Sequence, residues 1–399
     1  MLKGLKILKI KDLFPDRVKR LESAPAVLPA GTDGARRIAR ALHPTAQYLK
    51  VAEVKDLPDN AKSFTLVPDP DRGTTELAWF AAGKYLTVFA DIDGMPVTRA
   101  YSISSSPREA LGGRYVLTIK LVEGGLVTKY IFENWKEGTE VTVSAPDGHF
   151  DYEPLRDAKK VVALAGGSGI TPFLSMAKAI ADGDEDFDLT LLYGSRNKQS
   201  ILFKKELDDI AKACDKFRVI HVLSDPDAKG GKGFEKGFIT ADLIKKYAPE
   251  GERYSVFLCG PQAMYEFLDK ELAKLELPRR NIRHEMFGEF HNPKTRADYP
   301  KDVPEEVTIR VTVQDKTWTV RGSSNDSVMQ ILEKGGIAVP ARCRSGECGF
   351  CHSTLVSGEI WVPKELDYRR LADYKFGGFH PCCSFPLGDL EILVPVARR

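Results

Sequence analysis

Cys343, Cys348 and Cys351 fall within nine residues of one another, in the spacing C-x4-C-x2-C. Cys382 and Cys383 follow later as an adjacent pair. Thiolates this dense suit a soft metal or an iron–sulfur cluster, and this spacing followed by a distant cysteine is the plant-type [2Fe–2S] pattern. Gly346 and Gly349 fit a loop wrapped around a cluster, because small residues let backbone N–H groups approach the sulfurs. Structural zinc is usually held by two C-x2-C pairs, and only one such pair occurs in this run. A disulfide framework suits a small secreted domain, not 399 residues with seven cysteines. The residues therefore point to a [2Fe–2S] cluster on Cys343, Cys348 and Cys351, with Cys382 or Cys383 as the fourth ligand.

Two further motifs lie in the first half of the chain. Arg99-Ala100-Tyr101-Ser102 sits in a stretch of alternating apolar residues. An arginine offers a rigid fork to a phosphate, a tyrosine a flat face to an aromatic ring, and a serine hydroxyl a hydrogen bond to a ring nitrogen. Gly124-Gly125-Leu126-Val127-Thr128 opens a helix expected over Leu126–Asn134. Glycine lets the backbone come close, and a helix N-terminus binds a pyrophosphate. Each motif alone is weak, and Tyr101 alone reads as a core tyrosine; together, both beside strand–turn signals, they are a strong signal for an aromatic ring and its phosphates.

A third motif is Gly166-Gly167-Ser168-Gly169-Ile170-Thr171-Pro172, placed between the apolar run Val161-Val162-Ala163-Leu164-Ala165 and a helical stretch at 173–181. Strand, glycine-rich turn and helix make a nucleotide-phosphate site. The G-x-G-x-x-G fingerprint is not met, since Pro172 stands at the third glycine position. Ser195-Arg196 and Cys259-Gly260-Pro261 each follow an expected strand, at the carboxyl ends where ligands bind in such sheets. Ser195 and Arg196 suit a ribose or its phosphate.

The elements that must carry these motifs fall into three groups. Period-2 strands from Gln47 to Ser144, broken by Asp93-Gly94 and Lys136-Glu137-Gly138, predict an antiparallel barrel over 46–155. Alternating apolar strands and helices over 156–290 predict a doubly wound parallel sheet. A polar, proline-containing linker at 291–304 leads to a small mixed α+β domain over 305–399, with a hairpin at its start and a helix just before the cysteine loop. Residues 1–45 carry ten Lys/Arg against four Asp/Glu and four prolines, and one helix is expected from Thr32/Asp33 as N-cap to Leu42. That extension reads as a solvated strap on the first domain, or as a docking arm for an acidic electron-transfer partner.

Composition closes off other classes. A net charge of +2 argues against nucleic acid as a partner. No apolar run reaches 18 residues, so no transmembrane helix and no membrane insertion are expected. Lysines interrupt the first ten residues, so no secretory signal is read. Free thiols with a cluster imply a reducing compartment, the cytoplasm.

With these motifs in this order, the chain resembles the ferredoxin–NADP reductase superfamily, in its branch of oxygenase reductases ordered flavin, nicotinamide, [2Fe–2S], over about residues 47–399. The resemblance implies a β-grasp ferredoxin fold for the last domain. It also implies that Cys382 is the fourth ligand, because Pro386 and Asp389 follow it at the family's distances. It gives Arg99, Ala100, Tyr101 and Ser102 to the flavin ring and phosphate, and Gly125, Leu126, Val127 and Thr128 to the pyrophosphate of FAD. Gly166, Gly167, Gly169, Thr171 and Pro172, with Ser195 and Arg196, would hold NAD(P)H. Cys259, Gly260 and Pro261 would lie near the nicotinamide ring. Glu285-Met286-Phe287 matches the family's acid–aromatic element, and Pro146 to Phe150 its exit from the barrel. Ser102, Cys259 and Glu285 would be the catalytic positions, aligning flavin and nicotinamide for hydride transfer. Thr128 replaces the commoner serine and keeps its hydroxyl; Arg196 alone does not choose between NADH and NADPH.

The implied activity is NAD(P)H oxidation, with electrons leaving singly through the cluster to a separate electron-acceptor protein, an oxygenase component. An electron donor for an anaerobic system, such as corrinoid-protein reactivation, would use the same residues. A non-enzymatic redox carrier or sensor is the third reading, and the intact glycine-rich turn with Cys259-Gly260-Pro261 weighs against it.

Overall fold

The computed structural model of the chain describes residues 15–23, 34–227, 231, 234–286 and 290–396. The chain divides into one compact unit of Met1–Leu42 and another of His43–Arg399.

The first unit contains helices α1 (Pro15–Ser23) and α2 (Gly34–Leu42). Helix α1 was not expected from the proline content. The physical reason is that Pro15 occupies the first helical position, where its missing N–H costs nothing and its φ is already helical. The expected N-cap of α2, Thr32/Asp33, lies outside the described residues.

The second unit begins with an antiparallel sheet of β1 (Gln47–Leu57), β2 (Ala61–Pro68), β3 (Tyr85–Ile92), β4 (Met95–Ser102), β5 (Tyr115–Lys120) and β6 (Glu140–Val143). The strand order is β4-β3-β6-β1-β2-β5. A bridge between Ile103 and Leu117 joins the two edges and closes the barrel, which removes the unpaired edge groups of an open sheet. Phe64, Leu66, Leu86, Val88 and Leu117 fill its interior. Two helices attach, α3 (Pro107–Leu111) and α4 (Leu126–Asn134).

The next sheet is parallel: β7 (Lys160–Gly166), β8 (Asp188–Ser195), β9 (Phe217–Leu223), β10 (Phe234–Lys236), β11 (Tyr254–Cys259) and β12 (Ile282–Glu285). Its order is β10-β9-β8-β7-β11-β12. The chain runs outward from β7 to β10 and then returns to the other side of β7. A switch point therefore lies between β7 and β11, and in open α/β sheets ligands bind in that crevice. Helices α5 (Thr171–Asp182), α6 (Lys204–Ala213), α7 (Ala241–Tyr247) and α8 (Gln262–Ala273) connect the strands.

The last part holds β13 (Glu306–Val313), β14 (Lys316–Ser323), β15 (Ser353–Ser357), β16 (Ile360–Trp361), β17 (Gly378–Phe379), β18 (Phe385–Pro386) and β19 (Leu390–Leu393). Five of these form one mixed sheet ordered β14-β13-β19-β15-β17, and β16 pairs with β18. Helix α9 (Val328–Lys334) precedes the cysteine loop and α10 (Leu371–Phe376) follows it. Ser327 caps α9 with a full capping box to Gln330. The segment expected as a polar linker, and Phe290 just before it, do not hang free. Phe290 and Tyr299 are buried against Trp361, with ring centroids 6.0 and 5.2 Å away, because two aromatic rings gain more from this small core than from water.

Candidate active site

Three groups of residues converge from the three sheets. A cleft joins them, lined by Tyr85, Asp147, Gly148, Glu285, Cys343 and Cys348.

On the barrel, the period of β4 splits the flavin motif. Thr98, Ala100 and Ser102 are buried on one face, while Arg99 and Tyr101 alternate with them and are half-buried. Ala100 packs with Tyr85 and Cys343, so that face meets the cysteine loop. The Tyr101 hydroxyl is buried and has no partner; burial pushes its pKa up. An orphaned hydroxyl beside Arg99 fits a bound cofactor that would hydrogen-bond it. Helix α4 starts at Gly125 with no side-chain cap, so its first N–H groups remain available to an anion. A Cβ on Gly125 would stand 2.7 Å from Thr128 Oγ1, so a side chain does not fit there. The Thr128 hydroxyl accepts from Val122 N at 3.2 Å and donates to Gly125 O at 3.4 Å, which ties the turn to the helix. Val127 is not brought to this site: its side chain is buried in the barrel core. Leu126 is exposed at the helix start.

On the parallel sheet, the glycine-rich turn forms a short 3-10 segment, Gly167–Ile170, running into α5. Gly169 has to be glycine because of a close approach: a Cβ there would lie 2.2 Å from the Cys259 carbonyl oxygen. Likewise, a Cβ on Gly166 or Gly260 would meet Met264 Sδ at 2.4 or 2.6 Å. The turn after β7 and the Cys259-Gly260-Pro261 turn after β11 are thus in contact at the switch point. Pro172 is buried in the first turn of α5, and Thr171 donates to Ser168 O at 3.1 Å. Tyr193, which the motifs did not single out, donates to Gly167 O at 3.0 Å and accepts from Leu202 N at 3.3 Å. Ser195 ends β8 with a buried, unpartnered hydroxyl, and Arg196 beside it is exposed. Both stand at the same carboxyl edge, where a nucleotide's ribose would lie.

Cys259 and Glu285 are register partners on β11 and β12. Glu285 is buried, with one carboxylate oxygen unpartnered. Burial, reinforced by the facing Glu347, holds its carboxyl well above the usual range. Burial and Glu285 also raise the Cys259 thiol. Tyr265 braces the corner: its hydroxyl donates to the Glu285 carbonyl and accepts from Gly260 N at 3.1 Å. Phe287 lies outside the described residues.

In the cysteine loop the thiols come as pairs. Cys351 and Cys382 stand 3.4 Å apart, sulfur to sulfur, and Cys343 hydrogen-bonds Cys348. The backbone N–H groups of Ser345 and Cys348 both donate to Cys343 Sγ at 3.4 Å. The Cys343 thiol draws Cys348 down to about 7, and hydrogen bonds from Cys351 and Cys383 lower Cys382. Among the described residues, no three His, Cys, Asp or Glu side chains converge as for a single metal ion. Two pairs of thiols instead match a binuclear cluster, which takes two protein ligands per iron. Cys383 Sγ also lies 3.6 Å from the carbonyls of Leu366 and His380. Gly346 has φ +80°, and a Cβ there would stand 2.7 Å from Cys383 Sγ.

A closed barrel with a flavin-type motif, a doubly wound nucleotide sheet and a cysteine-paired β-grasp domain define an iron–sulfur flavoprotein reductase. Comparison with known proteins agrees over each part. Family models match for the oxidoreductase FAD-binding domain (residues 48–152), the oxidoreductase NAD-binding domain (163–270) and the 2Fe-2S iron-sulfur cluster binding domain (311–387). The chain is 30% identical to a glycine betaine monooxygenase reductase subunit of Pseudomonas aeruginosa, over 79% of this chain and 87% of the relative. It is 30% identical to the ferredoxin reductase component of a 3-ketosteroid-9-alpha-monooxygenase of Mycobacterium tuberculosis, covering 86% and 93%. Among solved structures, phthalate dioxygenase reductase matches with a TM-score of 0.62 at 26% identity, covering 88% of this chain and 98% of that one. The chain belongs to the family of oxidoreductases that join FAD-binding, NAD-binding and [2Fe–2S] domains as reductase components of oxygenase systems. No helix among the described residues is long and apolar enough to cross a membrane.

Proposed function

We propose that this chain takes electrons from NAD(P)H and delivers them one at a time to a separate oxygenase component in the cytoplasm. The carrying observation is the cleft where Tyr85 and Gly148 of the barrel, Glu285 of the nucleotide sheet and Cys343 of the cysteine loop meet. A flavin held by the barrel beside this meeting point would supply the exchange between a two-electron hydride donor and one-electron acceptors. The chain's own residues then have distinct tasks. Arg99 and the α4 N-terminus hold the flavin phosphates, and Tyr101 and Ser102 orient its ring. Gly166, Gly167, Gly169, Thr171 and Pro172 admit the nicotinamide nucleotide, with Ser195 and Arg196 at its ribose. Cys259 and Glu285, both buried, present dry walls to the reacting rings, which favours transfer of hydride over loss to water. Cys343, Cys348, Cys351 and Cys382 ligate the cluster, and Cys343, packed on Ala100 and Tyr85, forms the near side of the electron path.

The cytoplasmic assignment is supported by the thiols, all seven of which are free. The test is anaerobic titration of the purified protein with NADH and NADPH. Flavin bleaching followed by a reduced-cluster EPR signal, with about one FAD released per chain on heating, is the expected result. Bleaching without any cluster signal would sink the proposal that electrons leave through the cluster. Supply of an iron-containing oxygenase component should then restore turnover where a small dye alone is the other acceptor.

A further inference from the structure

Arg344 follows Cys343 in the cluster loop and is among the largest fully buried side chains of the protein. Its guanidinium grips Glu333 of α9 with two hydrogen bonds, 2.6 and 2.9 Å long. Such a forked pair has one geometry, so it fixes the loop against the helix. Glu333 does not stop at its own domain. Its Oε2 lies 3.8 Å from Arg99 Nη1 on β4, and it accepts from the Thr98 backbone N–H. Arg344 reaches the same strand at Thr98 Oγ1, 3.4 Å away. One buried carboxylate is therefore shared by two arginines from two domains.

The charges alternate along this line. Cluster thiolates are negative, Arg344 positive, Glu333 negative, Arg99 positive. The next group outward from Arg99 is the flavin phosphate, on the reading of the site given above. Removing either terminal anion leaves two guanidiniums facing one carboxylate in a dry interior, an arrangement that costs free energy. We propose that Glu333 is a positioning residue that docks the ferredoxin domain on the flavin domain through Arg99 and Thr98, so that flavin binding and alignment of the cluster reinforce each other. Coupling of this kind is reciprocal: what flavin does to domain docking, docking does to flavin affinity.

The inference rests on Arg99 as a flavin-phosphate ligand, and the experiment separates the two. In the full-length holoprotein, Glu333→Gln should slow reduction of the cluster by the reduced flavin by roughly 10- to 100-fold, the scale of a small misplacement. The EPR line shape of the reduced cluster should stay as in the wild type, and flavin should dissociate more readily. Wild-type protein gives a second measurement that needs no variant. Stripping its flavin should increase amide hydrogen exchange in α9, an element of the other domain. Unchanged cluster reduction in Glu333→Gln, or unchanged α9 exchange on flavin removal, would overturn the proposal. If Arg99→Ala left flavin affinity unaltered, the reading of Arg99 would fail instead, whatever Glu333 does.

Discussion

Cys351 and Cys382 lie 31 positions apart in the chain and 3.4 Å apart in space, sulfur to sulfur. The neighbouring Cys383 is equally buried but aims at the carbonyls of Leu366 and His380. One step along the backbone thus separates a thiol paired with Cys351 from a thiol that meets two backbone carbonyls instead.

That difference gives the first prediction. Cys382→Ser should abolish the visible and EPR signals of the cluster, because a hydroxyl is a poor iron ligand in place of a thiolate. Cys383→Ser should keep both signals and lose about 1 kcal/mol of stability or a little more, as a buried thiol becomes a hydroxyl. Loss of the cluster in the Cys383 variant alone would reverse the assignment.

Glu285 supplies a pH dependence. Its carboxyl is raised above the usual range by burial and Glu347, so the native state binds the proton that the unfolded chain releases. Stability from this group is present below the ordinary glutamate pKa and is lost as pH rises toward the raised one. Glu285→Gln keeps the neutral shape without the titration. Its thermal midpoint relative to wild type should therefore improve as pH rises above the ordinary glutamate range, and it should retain more hydride transfer than Glu285→Ala. A difference that stays constant over that rise would show that Glu285 is ionised in the native protein.

Gly169 tests the switch point. An alanine there puts a methyl 2.2 Å from the Cys259 carbonyl oxygen, and backbone on both sides cannot yield as a flexible side chain could. Gly169→Ala should cost on the order of 1–3 kcal/mol and raise KM for NAD(P)H more than it lowers flavin content. Equal KM values would mean that the two turns do not hold the nucleotide.

Truncation tests the division of labour. Phe290 and Tyr299 belong to the core around Trp361, so a chain ending at Met286 separates the parts more cleanly than one ending at Phe290. The shortened protein should still oxidise NAD(P)H with a small quinone. It should fail with cytochrome c, a one-electron acceptor; full cytochrome c activity would place the electron exit on the flavin instead of the cluster.

Much of this was legible in the chain itself. The C-x4-C-x2-C run, Arg99-Ala100-Tyr101-Ser102 and the turn at Gly166–Pro172 are local, so spacing and residue type reveal their chemistry. The helix expected over Leu126–Asn134 forms with those bounds, because its glycine start and apolar spacing are both local signals. Tyr299 reads as part of a polar linker, and Phe290 as the end of the preceding domain, for the opposite reason: their partner, Trp361, is far along the chain.

The same limit hid the contacts that join the domains. Types and spacing along the sequence determined the cofactor classes, the domain order and the thiols available to a cluster. Only the tertiary structure decided that Val127 faces the barrel core, that Gly169 must clear the Cys259 carbonyl, and that Glu333 stands between Arg344 and Arg99. Arg344 and Glu333 look like ordinary surface charges in sequence, since neither periodicity nor composition tells a solvated arginine from one whose counter-ion waits on another element. Folding settles it, because a buried charge is tolerated only where the chain brings an opposite charge and hydrogen bonds to meet it.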